Sequence, residues 1–197
     1  MKTFQITSIK ITIQMLFFTL LLTSSCAQSD KKTSSDSAVQ TTRTVNKPSI
    51  DIHGAVLTGN LEAVKQHIEA GTDINQKEAM SGSTPLMSAA TFNKTEIAKV
   101  LINAKADLSL INNDGGTALH TAAFFGRLEI VQLLIDAKAD KTIRNNFGAT
   151  PRETVMVDFA QMKPIYEMLT QQLKPMGFTL DLNELQKARP VVAMMLK

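Results

Sequence analysis

The 197-residue chain has one cysteine, no tryptophan, one tyrosine and three histidines. A lone thiol excludes an intramolecular disulfide framework and any multi-cysteine zinc site, so packing has to hold the fold. His67 has no Cys or His at ligand spacing, and the sequence carries no phosphate loop, no nucleophile elbow and no H-E-x-x-H. A non-enzyme without cofactor or metal is therefore expected. Long hydrophobic runs are also missing: the longest, from Ile11 to Leu22, is interrupted by Thr12, Gln14 and Thr19 and falls short of the roughly 20 residues a spanning helix needs. What is present is a globular balance of 44% hydrophobic and 20% charged residues, in a length that allows one domain with appendages.

The N-terminus reads as an address. Lys2 and Lys10 precede the apolar run, and Thr23-Ser24-Ser25-Cys26 follows it. This is the layout of a secretory signal over residues 1–25. Residues 26–49 are rich in Ser and Thr with no aromatic side chain, too polar to offset their own ordering entropy, so a flexible tether is expected. The segment around Cys26 resembles the lipobox of bacterial lipoproteins, with Thr23 standing where a leucine is usual. That resemblance implies acylation of Cys26 and a membrane anchor on an exported protein of the periplasm or cell envelope. The residues themselves leave open cleavage after Ala27. Asp36-Ser37-Ala38 resembles an O-glycosylation site of exported bacterial proteins, and is read as ordinary linker.

The middle of the chain repeats itself. Gly82-Ser83-Thr84-Pro85-Leu86, Gly115-Gly116-Thr117-Ala118-Leu119 and Gly148-Ala149-Thr150-Pro151-Arg152 recur with a spacing of 33 residues between the threonines. Alanine pairs follow the first two, Ala89-Ala90 and Ala122-Ala123, and Ala-Lys-Ala-Asp closes those units at Asp107 and Asp140. An earlier copy runs from Ile52-His53-Gly54-Ala55 to Ala70-Gly71-Thr72-Asp73. A fixed period of this length is the signature of a stacked repeat architecture.

Each unit has a physical reading. Thr84 and Thr117 are placed to cap a helix, and Pro85 presets the backbone of its first turn. Gly59, Asn93 and Gly126 align between two helices and tolerate a left-handed turn. Ile97, Val100 and Leu101, then Ile130, Val131, Leu133 and Leu134, give the second helices a core-facing stripe. Glu62, Glu96 and Glu129 recur at the start of those helices, where the dipole favours them. His53 and His120 share one register position and are read as helix-start hydrogen-bonding residues.

These residues resemble ankyrin repeats, with Thr84-Pro85-Leu86-Met87 and Thr117-Ala118-Leu119-His120 standing for the family's T-P-L-H. The resemblance covers residues 50–173. It implies an all-α solenoid of helix-turn-helix units with short hairpin fingers, about four repeats counting a divergent C-terminal cap. Lys105 and Lys138 replace the usual glycine after the second helix, at up to about 1 kcal/mol each if the left-handed turn is kept. Repeat four departs further, with Arg152 and Glu153 for Leu and His, and Met156 for a small alanine. Its second helix is expected to start near Pro164 with Ile165, Met168 and Leu169 inward, and residues 174–197 to be a tail packed on that last repeat. Met156, Met162, Met168, Met176, Met194 and Met195 are read as core filling there.

The resemblance also implies a concave partner-binding face. By register it comprises Met80, Ser81, Ser83, Thr91 and Phe92; Asn113, Asp114, Gly116, Phe124 and Phe125; and Asn146, Phe147, Ala149, Val157 and Asp158. Three of the nine phenylalanines lie in the signal, and four of the remaining six are Phe92, Phe124, Phe125 and Phe147. Aromatic anchors in a groove are what protein interfaces use for affinity; packing of Phe92 and Phe125 against a neighbouring repeat is the alternative.

The net charge of +3 does not point to nucleic acid. Residues 1–49 carry +4, residues 174–197 carry +2, and the repeats between them −3, with no Lys or Arg in the mapped face where a nucleic acid would need a basic stripe. The expected function is non-catalytic binding of a protein partner by a monomer. Two alternatives remain: an accessory or protective factor, for a periplasmic peroxide-detoxifying enzyme or against a toxin, and an enzyme with a site near the C-terminal cap.

Overall fold

A computed structural model describes residues 48–197. The expected signal, most of the tether and Cys26 lie outside the described residues. Among those described there are nine α-helices and no strand: α1 (Ile52–Thr58), α2 (Leu61–Glu69), α3 (Pro85–Thr91), α4 (Thr95–Asn103), α5 (Ala118–Phe124), α6 (Leu128–Asp136), α7 (Pro151–Met156), α8 (Phe159–Leu173) and α9 (Leu182–Met195). The first helices stack in one row, α1 on α3 on α5 on α7, and the second helices in another, α2 on α4 on α6 on α9. This is a solenoid of four helical pairs.

The caps behave as the repeats require. Thr84, Thr117 and Thr150 each hold extended backbone and accept a hydrogen bond from the third helical residue. The return bond to the cap's own N–H uses a different acceptor each time: Met87 Sδ at 3.4 Å, His120 Nδ1 at 3.1 Å and Glu153 Oε2 at 2.8 Å. His53 also lies in the first turn of its helix, one position earlier than His120 does in α5. Its Nε2 donates to Gln76 O at 2.9 Å while Asp51 caps α1, so His53 is a helix-start hydrogen-bonding residue that, unlike His120, takes no part in the cap.

Left-handed turns fall where the register puts them, with Gly59, Asn93 and Gly126 at φ of 72°, 54° and 64°. Lys105 and Lys138 keep the left-handed conformation at φ 66° and 64°, a strain that an L side chain carries and glycine does not. Between the rows the alanine pairs Ala89-Ala90 and Ala122-Ala123 are fully buried. Their small size lets successive first helices approach closely, and Leu86, Leu101, Leu119, Ile130, Val131 and Leu134 fill the core around them.

The last repeat is closed by a different segment from the one expected. The helix carrying Pro164 does not pair with α7; α9 does, packing on both α7 and α6. Leu185, Arg189, Val192 and Leu196 are its inward residues, and Arg152 reaches across to donate to Ala193 O at 3.1 Å. Residues 182–197 do pack on the last repeat as expected of the tail, but they complete it rather than cover a finished one. The segment between, residues 159–181, is an insertion that lies elsewhere on the solenoid. On α8 it is Tyr166 that is fully buried, with Ile165 and Met168 exposed. The methionines read as core are largely surface: Met156, Met168, Met176 and Met194 are exposed, and Met162 and Met195 only half-buried. Met156 takes the place of Ala90 and Ala123, and among the described residues no further repeat stacks on it.

Candidate functional site

Three hairpin fingers precede α3, α5 and α7. Each is built by its own side chains. In the first, the Glu78 carboxylate accepts from Met80 N and Ser81 N; in the second, Asn112 Oδ1 accepts from Asp114 N and Gly116 N; in the third, Asn145 Oδ1 accepts from Phe147 N and Ala149 N. The fingers are also bonded to one another in series. Asn113 donates its backbone N–H to Ser81 O and its Nδ2 to Met80 O, both at 2.9 Å. Asn146 repeats this on Asp114 O and Asn113 O, again at 2.9 Å. Gly82 and Gly115, both left-handed, make room for these asparagines: a Cβ on either would stand 2.5 Å from the Oδ1 of Asn113 or Asn146.

At the tips of these braced fingers the side chains project into solvent. Met80 is 90% exposed and Phe147 is 80% exposed, and Ser81, Asn113, Asp114 and Asn146 are exposed between them. Ser83 and Ala149 are half-buried and Gly116 is buried. The finger part of the expected face is thus brought together as a continuous row.

The other part is not. Phe125 is buried, and Phe92 and Phe124 are half-buried, because the 159–181 insertion runs across the C-terminal ends of α3 and α5 as a strap. Phe178 of the strap sits edge-on to Phe92 and Phe125 with centroids 5.9 and 5.3 Å apart. Tyr166 packs on Phe124 at 4.7 Å and donates its hydroxyl to Phe124 O at 3.0 Å. The expectation that Phe92, Phe124 and Phe125 line an open groove is corrected: all three are enclosed to differing degrees by an aromatic cluster internal to the chain. Val157 and Asp158 remain exposed, with Asp158 capping α8, while Thr91 is half-buried and its carbonyl accepts from Arg127.

Two arginines fasten the strap. Arg127 bonds Thr91 O at 3.1 Å and Thr179 O at 3.4 Å, with its guanidinium 5.9 Å from the Phe125 centroid and 5.7 Å from that of Phe178. Burial pushes its pKa down to about 10, which still leaves it charged at neutral pH. Arg189, 4% exposed, donates to Tyr166 Oη at 2.6 Å and to Val157 O, and lies 5.8 and 5.9 Å from the Phe159 and Tyr166 rings. Aromatic faces and a carbonyl, rather than a carboxylate, compensate this buried charge. Sequence reading missed Arg127, Arg189, Tyr166 and Phe178 as the groups that seat the strap. A signal was available: Phe159 and Phe178, the two phenylalanines of the described residues outside the repeat register, fall with the only tyrosine in one short stretch.

A cleft of about 220 Å³ opens between neighbouring helix turns, lined by Asn93, Gly126, Arg127, Leu128 and Glu129. His120 lies apart from it. Its Nε2 donates to Ala149 O at 3.0 Å, which fixes Nδ1 as the acceptor in the cap of α5; burial holds its pKa below the ordinary 6.5.

The family described as "Ankyrin repeats (3 copies)" matches residues 52–145. Over these residues the chain folds as an ankyrin-repeat solenoid. Its repeats are 44% identical over 64 residues to protein phosphatase 1 regulatory subunit 27 of Homo sapiens and of Mus musculus, a match covering 32% of this chain and 41% of theirs. An ankyrin repeat protein of fowlpox virus is 38% identical over 62 residues, 32% of this chain and 14% of the viral one. The match thus spans less than half the length of these curated relatives. Among solved structures, the ankyrin repeat domain of Bcl-3, a member of the IkappaB protein family, aligns with a TM-score of 0.51 at 31% identity, over 52% of this chain and 45% of that one. The ankyrin pairs α1–α2 to α5–α6 lie inside the matched residues, and the strap and α9 lie beyond them.

Proposed function

We propose that this ankyrin-repeat protein works by stoichiometric binding of a protein partner, and that the partner is gripped by the finger row rather than by the phenylalanines at the far ends of the first helices. The observation that carries this reading is the pair of large apolar side chains, Met80 and Phe147, held almost fully exposed on fingers that are hydrogen-bonded internally and to each other. Exposed apolar anchors on a rigid support lose little entropy on binding and are the usual carriers of interface energy. A protein partner also fits the relatives, one of which is a regulatory subunit of a phosphatase. We further place the protein in a bacterial cell envelope, anchored through acylated Cys26 and tethered by residues 26–49. That reading rests on the signal-like N-terminus and the lone cysteine behind it.

Affinity capture with the full chain from the envelope of the native cell tests the binding face. Met80→Asp with Phe147→Asp is expected to abolish capture while the far-ultraviolet circular dichroism stays unchanged. Undiminished capture by that folded variant would sink the finger reading. For the anchor, Cys26→Ser is expected to move the protein from the membrane to the soluble fraction, and continued membrane retention would contradict it.

A further inference from the structure

The finger ladder shows twice what fits against a finger. The carbonyls of Met80 and Ser81 receive an asparagine side-chain N–H and a backbone N–H from the second finger, and those of Asn113 and Asp114 receive the same pair from the third. In the third finger the corresponding acceptors are the carbonyls of Asn146 and Phe147, which receive no donor among the described residues. Nothing lies within 4 Å of the Cβ position of Gly148, left-handed at φ 75°, where Gly82 and Gly115 are each met by an asparagine. The third finger is nonetheless braced like the second, by Asn145 Oδ1 and by backbone bonds from Asn145 N to Ala149 O and Gly148 N to Asn145 O. It is a preformed receptor for one more finger, and none of the described residues supplies one.

We propose that this edge is a docking site for an asparagine-bearing turn of the partner protein. The partner's asparagine donates its side-chain amide to Asn146 O and its backbone N–H to Phe147 O, over the Gly148 notch and beside the exposed Phe147 ring. This proposal rests on the finger reading above and names the chemistry of the partner segment. A second copy of this chain does not fit the edge, because the residue its first finger would present in the asparagine register is Met80, which has no amide to donate. The site is small: two hydrogen bonds exchanged with water contribute little each, so an isolated turn binds weakly, with a Kd on the order of 1 mM.

The probe is a cyclic peptide of the sequence Arg-Asn-Asn-Phe-Gly-Ala-Thr, the third finger's own residues 144–150, titrated into the ¹⁵N-labelled full chain. Saturable amide shifts confined to residues 146–149 are expected. The peptide carrying Asn146→Ala, and equally the one carrying Asn146→Asp, which keeps the shape but cannot donate, are expected to bind about tenfold more weakly or worse. Absence of saturable shifts at these amides, or equal binding by the substituted peptides, overturns the proposal. So does concentration-dependent self-association of the chain alone in sedimentation, because a second copy would then hold the edge. Failure here with capture still abolished by the Met80 and Phe147 double variant removes this inference and leaves the finger reading standing.

Discussion

The first helices of repeats two and three meet different surroundings at their two ends. Their N-terminal ends carry fingers whose tips stand in solvent, Met80 among them, braced by carboxylate and amide side chains. Their C-terminal ends carry Phe92, Phe124 and Phe125, rings that look by composition like the better anchors and are taken up by Phe178 and Tyr166 of the strap. An apolar side chain is informative about partners only where the chain leaves it without intramolecular company. By that criterion the finger row is the proposed interaction surface, and the aromatic helix ends are covered from within the chain.

Substitutions can break this contrast in order of expected size. Tyr166→Ala removes a fully buried ring and one partner of buried Arg189, and is expected to cost about 3–5 kcal/mol in urea unfolding. Hydrogen exchange in residues 159–181 should rise at the same time. Tyr166→Phe keeps the ring and loses the hydroxyl that joins Arg189 to Phe124 O, for about 1–2 kcal/mol. At the opposite ends of the helices the sensitive group is His120. Its pKa is lowered in the fold by burial, and protonation would turn Nδ1 from an acceptor into a donor facing Thr117 N–H. The unfolded chain then binds more protons than the folded one, so stability is full above about pH 6.5 and falls as pH drops below it. His120→Gln keeps a capping acceptor and is expected to flatten that slope between pH 7 and 5 in thermal melts.

Smaller effects sharpen the comparison. Lys105→Gly and Lys138→Gly relieve left-handed strain and are each expected to stabilise by about 0.5–1 kcal/mol, after the entropy that glycine adds to the unfolded chain. The finger-tip changes Met80→Ser and Phe147→Ser should move stability by less than about 0.5 kcal/mol. Only partner capture should register them.

The repeats were legible because their information is local and recurrent. Thr84, Pro85, the alanine pairs and the turn residues each have a reason to be where they are within one period, and the fold places them as read. The fingers were legible too, since Met80 and Phe147 lie in the regular register. The strap was not. Its register breaks at Val157, where extended backbone ends α7 early, and nothing in an apolar stripe over 159–173 distinguishes pairing with α7 from lying across the ends of α3 and α5. Closure of the last repeat by α9 depends on a contact with α6 that is long-range in sequence, and a local reading of 182–195 sees only a capped helix. The mistaken assignment of Ile165 and Met168 to the interior follows from the same gap. Tyr166, which is one residue away from the expected stripe, faces inward because Arg189 and Phe124 O are there to receive its hydroxyl.

Hydroxyl-radical footprinting of the full chain, compared between phenylalanines so that intrinsic reactivity cancels, tests the contrast most directly. The expected result is rapid modification of Phe147, with Phe125 and Phe178 modified many times more slowly. Phe125 and Phe178 reacting as fast as Phe147 would mean that the strap is not seated, and that the aromatic helix ends are open surface after all.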